Sequence, residues 1–108
     1  MVIVQNKSKE YVNAIAGVRR KTLGVGEKGL LGEFILEAGA VLPLHTHPHE
    51  QIGYLVSGAL DFIIDGQEYS ALPGDSWAIP GHIEHSARAL ENSVAVEVFV
   101  PIREDYRD

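Results

Sequence analysis

Residues 39–58 read GAVLPLHTHPHEQIGYLVSG. Two short runs, Leu42 to Thr46 and Gln51 to Ser57, lie between the bounding glycines, and Pro48 interrupts the chain between them, as a proline ends a strand. On a strand, residues i and i+2 point to the same face, so His45 and His47 can present both imidazoles to one ion. Gln51 opens the following run and could add a ligand from the neighbouring position. A bare His-x-His pair also fits a solvated face of an edge strand, and both readings stay open on this stretch alone. All five histidines fall between positions 45 and 85.

Outward from this stretch, glycine and proline punctuate the chain at short intervals, with no internal repeat, low-complexity segment or linker. Strands are expected near Val18 to Leu23, Gly32 to Glu37, Leu42 to Thr46, Gln51 to Ser57, Ala59 to Ile64, Gln67 to Leu72, Ser76 to Ile79, Glu84 to Ala89 and Val94 to Val100. Asp65-Gly66 sits between two of these runs, and both residue types tolerate the positive φ of a two-residue hairpin turn. Pro73-Gly74-Asp75 and Pro80-Gly81 predict further turns. No window has an amphipathic helical pattern beyond a single turn in Ile102 to Tyr106. The expectation is one all-β domain over residues 1–108, a sandwich or a barrel, between which periodicity does not choose.

Composition narrows the chemistry. The 108 residues are 45% hydrophobic and 22% charged, which fits a globular domain and neither a disordered nor a membrane-spanning chain. No apolar run approaches the roughly 18 residues a spanning helix needs, and the start MVIVQNKSKE lacks the order of a secretory signal, so a cytoplasmic protein is expected. Without cysteine, any metal must sit on His, Asp, Glu, Gln or Asn. The formal charge of −6 argues against a nucleic-acid partner. The one basic cluster, Arg19-Arg20-Lys21, reads as a solvated edge from which Arg19 or Lys21 could point inward.

Gly39, five residues, His45, Thr46, His47, three residues, Gln51, six residues and Gly58 resemble the first motif of the cupin family, with Gln where the family more often has Glu. Gly74, five residues, Pro80, Gly81, His82, two residues and His85 resemble the second motif, with His82 and Ala89 in place of its usual Gly and Asn. The resemblance implies a double-stranded β-helix, or jelly-roll, barrel. It also implies one divalent transition metal, nickel, zinc, iron, cobalt or manganese, on His45, His47, Gln51 and His85. His49 and His82 match no ligand position; His49 reads as a mouth or surface residue and His82 as a turn residue. Three imidazoles and an amide would leave the ion its full +2 charge, which favours anionic ligands. The two-His-one-carboxylate set of oxygen-activating iron sites is missing.

In the run Val94 to Val100 the valines share one face, and Ala95, Glu97 and Phe99 share the other. Read alone, it is a half-buried strand with Glu97 in water. In a cupin this strand walls the cavity, and Glu97 then faces the metal as a carboxyl in apolar surroundings. The tail EVFVPIREDY, together with HTHPHEQIGYLVSG, is similar to the KdgF type of small cupin from pectin and alginate breakdown, whose members convert ring-form 4,5-unsaturated uronates into linear keto acids. That resemblance implies an anionic sugar acid as ligand, Glu97 and Arg103 as catalytic residues, and Phe99 and Arg103 as substrate-binding residues. Glu97 stands where that family carries Asp. Another metal-dependent cupin enzyme, a sugar isomerase or small-acid dioxygenase, and a ligand-binding cupin without turnover are the alternatives. A homodimer is expected from the β-prone Val2-Ile3-Val4, within an N-terminal segment 1–17, and from the valine face of the last strand.

Overall fold

Each expected run forms a strand in the computed structural model, which describes residues 2–107, and no end moves by more than two residues. A further strand precedes them. The elements are β1 (Val12–Ile15), β2 (Val18–Val25), β3 (Leu30–Leu36), β4 (Val41–His45), β5 (Glu50–Ser57), β6 (Leu60–Ile64), β7 (Gln67–Ala71), β8 (Ser76–Ile79), β9 (His85–Ala89) and β10 (Ser93–Val100), with 3-10 turns at Asn6–Ser8 and Glu104–Tyr106. The second of these turns is the single helical turn expected in the tail. Val2-Ile3-Val4 forms no strand, and Val2 and Ile3 are exposed. No helix among the described residues is long and apolar enough to cross a membrane.

The strands make two antiparallel sheets, one in the order β1-β2-β3-β10-β5-β8 and one in the order β4-β9-β6-β7. Alternation decides what lies between them. Along β3 and β10 every second residue is buried, so Leu30, Phe34, Leu36, Ala95 and Phe99 face Leu60, Phe62, Ala87 and Ala89 of the smaller sheet across one core. The β6–β7 hairpin closes on Asp65 and Gly66 with φ of +50° and +79°, the conformation a type I′ turn demands.

The basic triplet corrects the sequence reading. Val18, Arg20 and Thr22 share the inner face of β2, because they pair with Leu36, Phe34 and Gly32 of β3. Arg20 is therefore the inward residue, lying 4.3 Å from the centre of the Tyr106 ring. Arg19 is exposed on the outer face. Lys21 shares that outer face yet is buried, since the N-terminal segment folds over it. Its Nζ donates to the backbone oxygen and Oδ1 of Asn6, at 3.2 and 2.9 Å, and sits over the Tyr11 ring.

The glycine ending the β5 run has no room for a side chain. Gly58 has φ +95°, and a Cβ there would lie 2.1 Å from Ser93 Oγ and 2.5 Å from the Asn92 carbonyl oxygen. Gly58→Ala should destabilise the protein by about 2–4 kcal/mol, seen as a lowered urea midpoint. Gly66→Asn, at φ +79° with open space around the added Cβ, should stay within about 1 kcal/mol of the parent.

Candidate metal centre

The two sheets meet at one end of the barrel, where four polar side chains converge. His45 and His85 are direct cross-strand partners at the ends of β4 and β9, with ring centroids 4.2 Å apart. β4 stops at His45, so His47 is a loop residue, carried inward by a hydrogen bond from the His82 backbone N–H to the His47 carbonyl at 2.7 Å. The turn at His82, φ +67°, thus serves the site through its main chain while its side chain stays exposed. The His47 ring centroid lies 4.9 Å from that of His85 and 5.5 Å from that of His45. Gln51 comes from the opposite sheet, on β5, with Oε1 3.1 Å from His47 Nε2.

Hydrogen bonding fixes which atoms of this cluster are free. His45 Nδ1 lies 2.8 Å from the Pro43 carbonyl, His85 Nδ1 2.8 Å from the Ile83 carbonyl and His47 Nδ1 3.0 Å from the His49 carbonyl. A carbonyl only accepts, so in His45 and His85 Nδ1 carries the proton and Nε2 presents a lone pair; His47 faces an accepting oxygen on both ring nitrogens, and holds its proton on Nδ1 when Nε2 and Gln51 Oε1 share a cation. Burial, the largest cause, holds His47 and His85 below the usual imidazole value of 6.5, with neighbouring positive charge adding to it. Both rings are therefore neutral at pH 7. Gln51 donates its Nε2 to Glu97, which turns its Oε1 lone pairs toward His47. His85 Nε2 is buried with no hydrogen-bond partner among the described residues. Ligand atoms of the three histidines lie within 4.8 Å of one another. Convergent lone pairs without a proton between them fit a divalent cation, and the three imidazoles could hold one.

The centre opens into a narrow cavity of about 50 Å³ between the sheets. Glu97, Phe99 and Arg103 line it with His45, His85 and Gln51, so the residues singled out in the tail share one cavity with the cluster. Glu97 is 7% exposed, which overturns the reading of β10 that leaves it in water. Its Oε2 accepts from Trp77 Nε1 at 3.0 Å and from Gln51 Nε2. Burial pushes its carboxyl above the usual value of 4.5 against the opposing pull of Trp77, Gln51 and Arg103. The Arg103 guanidinium stacks over Tyr106 at 4.1 Å and over Phe99 at 5.3 Å. Asp105 takes its Nε–H and one Nη2–H, at 3.2 and 2.8 Å. His49 is half-buried rather than on the surface, its ring 5.6 Å from that of His47.

Three participants escape sequence reasoning: Trp77, Tyr106 and Asp105. Only Trp77 leaves a signal, because it alternates with Ile79 toward the inner face and pairs across the sheet with Gly53, a position without a side chain.

The profile of the cupin domain matches residues 32–101. The chain is 27% identical over 92 residues to the pectin degradation protein KdgF of Dickeya dadantii (strain 3937), an alignment covering 83% of this chain and 84% of that one. Among solved structures it resembles KdgF from Halomonas sp., with a TM-score of 0.91 and 31% identity over 97% of both chains. It also resembles an RmlC-like cupin from Shewanella frigidimarina NCIMB 400, with a TM-score of 0.93 and 26% identity over 98% of this chain and 96% of that one.

The neutral histidines make metal-free protein sensitive to acid. Their folded values lie below the unfolded one, so between the two the unfolded chain binds more protons and stability rises with pH; it is lost as pH falls below about 6.5. Glu97, raised on folding, acts in the opposite sense, stabilising at low pH and losing this contribution as pH climbs above 4.5. The histidine contribution is isolated by comparing chelator-stripped parent with the His47→Asn, His85→Asn double variant. Denaturation midpoints of the parent should fall more steeply between about pH 7 and pH 5.

Proposed function

The chain belongs to the cupin family, and from that premise we propose that it is a metal-dependent enzyme opening the ring of 4,5-unsaturated uronate sugars to linear keto acids. The observation that carries this reading is the buried carboxyl of Glu97 on the same cavity wall as Arg103 and beside the His-Gln cluster. The similarity to the KdgF proteins supports the substrate class. His45, His47, Gln51 and His85 would hold the ion, which when bound supplies a concentrated positive charge for the carboxylate and ring oxygens of the sugar acid.

The remaining work falls to the chain. Opening a ring enol ether requires a proton on the vinyl carbon, water on the neighbouring carbon, and collapse of the resulting hemiketal to the linear keto acid. Glu97 gives the proton and recovers one from the attacking water, so it ends as it began. Its buried setting favours the protonated form that the first step consumes. Arg103 orients the substrate carboxylate. Asp105 occupies the Nε edge of its guanidinium, and the Nη1–Nη2 edge is the one suited to a second bidentate carboxylate. Phe99 closes one wall with an apolar surface.

The test follows loss of the ring chromophore of an unsaturated uronate. Glu97→Gln keeps the shape of the side chain but exchanges no proton, so kcat should fall about 10²- to 10⁴-fold with bound metal unchanged. Arg103→Lys should chiefly raise KM, because the ammonium lacks the planar fork. A Glu97→Gln protein with parental kcat would remove Glu97 from the chemistry. Elemental analysis of protein purified without chelator should find about one ion per chain, lost in the His47→Ala, His85→Ala variant; undiminished metal there would overturn the ligand assignment.

We propose further that two copies pair through the outer face of the six-stranded sheet. Ile52, Tyr54 and Val56 are 44%, 48% and 50% exposed there, beside the half-buried Val94, Val96 and Val98. The N-terminal segment, with Val2 and Ile3 exposed, supplies more apolar surface. Sedimentation at micromolar concentration should show a dimer, and a single species near the 11.8 kDa of one chain would refute it.

A further inference from the structure

One row of residues crosses the inner face of the larger sheet: Gly32 on β3, Glu97 on β10, Gly53 on β5 and Trp77 on β8. The side chains of Glu97 and Trp77 are thus separated by a strand whose residue in that row has none. The Trp77 indole fills the space: a Cβ on Gly53 would lie 2.1 Å from its Nε1 and Cε2. Leaning across the glycine, it brings Nε1 to 3.0 Å from Glu97 Oε2. The amide of Gln51, from the adjacent row, donates to the same oxygen. Among the described residues nothing bonds Oε1, and Glu97 lines the cavity.

The terminal torsion of a glutamate is soft and roughly two-fold, so packing alone does not choose which oxygen faces a substrate. Two N–H donors on one oxygen do choose. An oxygen accepting both cannot also carry the acid proton without setting hydrogens against each other, which leaves that proton to the other oxygen. From this geometry we propose that Trp77 is a positioning residue, whose indole N–H, reaching across Gly53, pins Glu97 Oε2 and so presents Oε1 as the oxygen that exchanges the proton with substrate. This rests on the reading of Glu97 as the proton-transfer group. The indole also packs on Phe62 at a 4.7 Å centroid distance, and the two rings wall the cavity off from a groove between β7 and β8 lined by Ile64, Tyr69 and Ser76.

Trp77→Phe separates the N–H from the wall, since phenylalanine keeps an aromatic ring and loses the donor. kcat on the unsaturated uronate should fall about 10- to 100-fold, the worth of a hydrogen bond to a carboxylate whose charge develops as the proton leaves, while KM and bound metal hold. In a Glu97→Gln background the same substitution should cost nothing further, because its effect runs through the acid. Parental kcat in Trp77→Phe, or an equal loss in both backgrounds, would overturn the proposal.

A second measurement needs neither turnover nor a substitution at Trp77. As the chain's single tryptophan, Trp77 gives one indole N–H resonance. Glu97→Ala, which removes the acceptor, should move it upfield and speed its exchange with water. An unmoved resonance would refute the contact whatever the enzyme turns over. If the resonance moves while the parent leaves the uronate intact, the positioning contact stands and the uronate activity falls.

Discussion

Because successive residues of a strand point to opposite faces, Glu97 cannot change its surroundings alone. It enters the barrel with Ala95 and Phe99, while Val94, Val96 and Val98 take the outer face. Turning β10 over to give the carboxyl to water would expose Phe99, whose burial is worth about 1.5–3 kcal/mol by itself, and would lose its packing with Phe34 and Tyr106. The sheet therefore holds an acid in its interior by the same alternation that builds its core. That one register brings Glu97 to Trp77 and Gln51, and through Gln51 to the histidine cluster on the other sheet.

The polar end of the cavity balances two opposite desolvation effects. Burial keeps His47 and His85 from accepting protons and makes Glu97 reluctant to release one, so all three favour their neutral forms. Arg103 is the strong fixed charge near them, and Asp105 offsets it through an ion pair at 2.8 Å. Tyr106 lies between the guanidinium groups of Arg20 and Arg103, 4.3 and 4.1 Å from the ring centre, and Thr22 Oγ1 donates to its carbonyl at 2.6 Å. The tail that carries Arg103 is thus fastened to β2, four strands from β8, and the strands from β2 to β8 contribute to one site.

The strands and the Asp65-Gly66 hairpin were legible because each depends on local pattern, whereas the grouping of His85 with His45, His47 and Gln51 was legible only through the resemblance to the two cupin motifs. What was not legible depends on which surface something else covers. Alternation in β2 puts Arg20 on one face and Arg19 with Lys21 on the other, but nothing local says which face is inner, or that residues near Asn6 will bury Lys21. The four residues of β1 are too short a run to announce themselves and are a strand because β2 offers an edge. Glu97 presents the same difficulty: its partners lie 46 residues away at Gln51 and 20 away at Trp77, and only the fold relates them. Asp105 and Tyr106 sit in a tail without periodicity, placed by contacts to β2 and β10.

Each histidine of the cluster is oriented by a main-chain carbonyl two residues along its own chain, Pro43 for His45, His49 for His47 and Ile83 for His85. Many metal sites assign that task to carboxylate or amide side chains, where a single codon change disables it. Here the support is peptide backbone, which every amino acid supplies. Residues 43, 49 and 83 are free to drift so long as the local path survives, and the ring orientations are inherited with the fold.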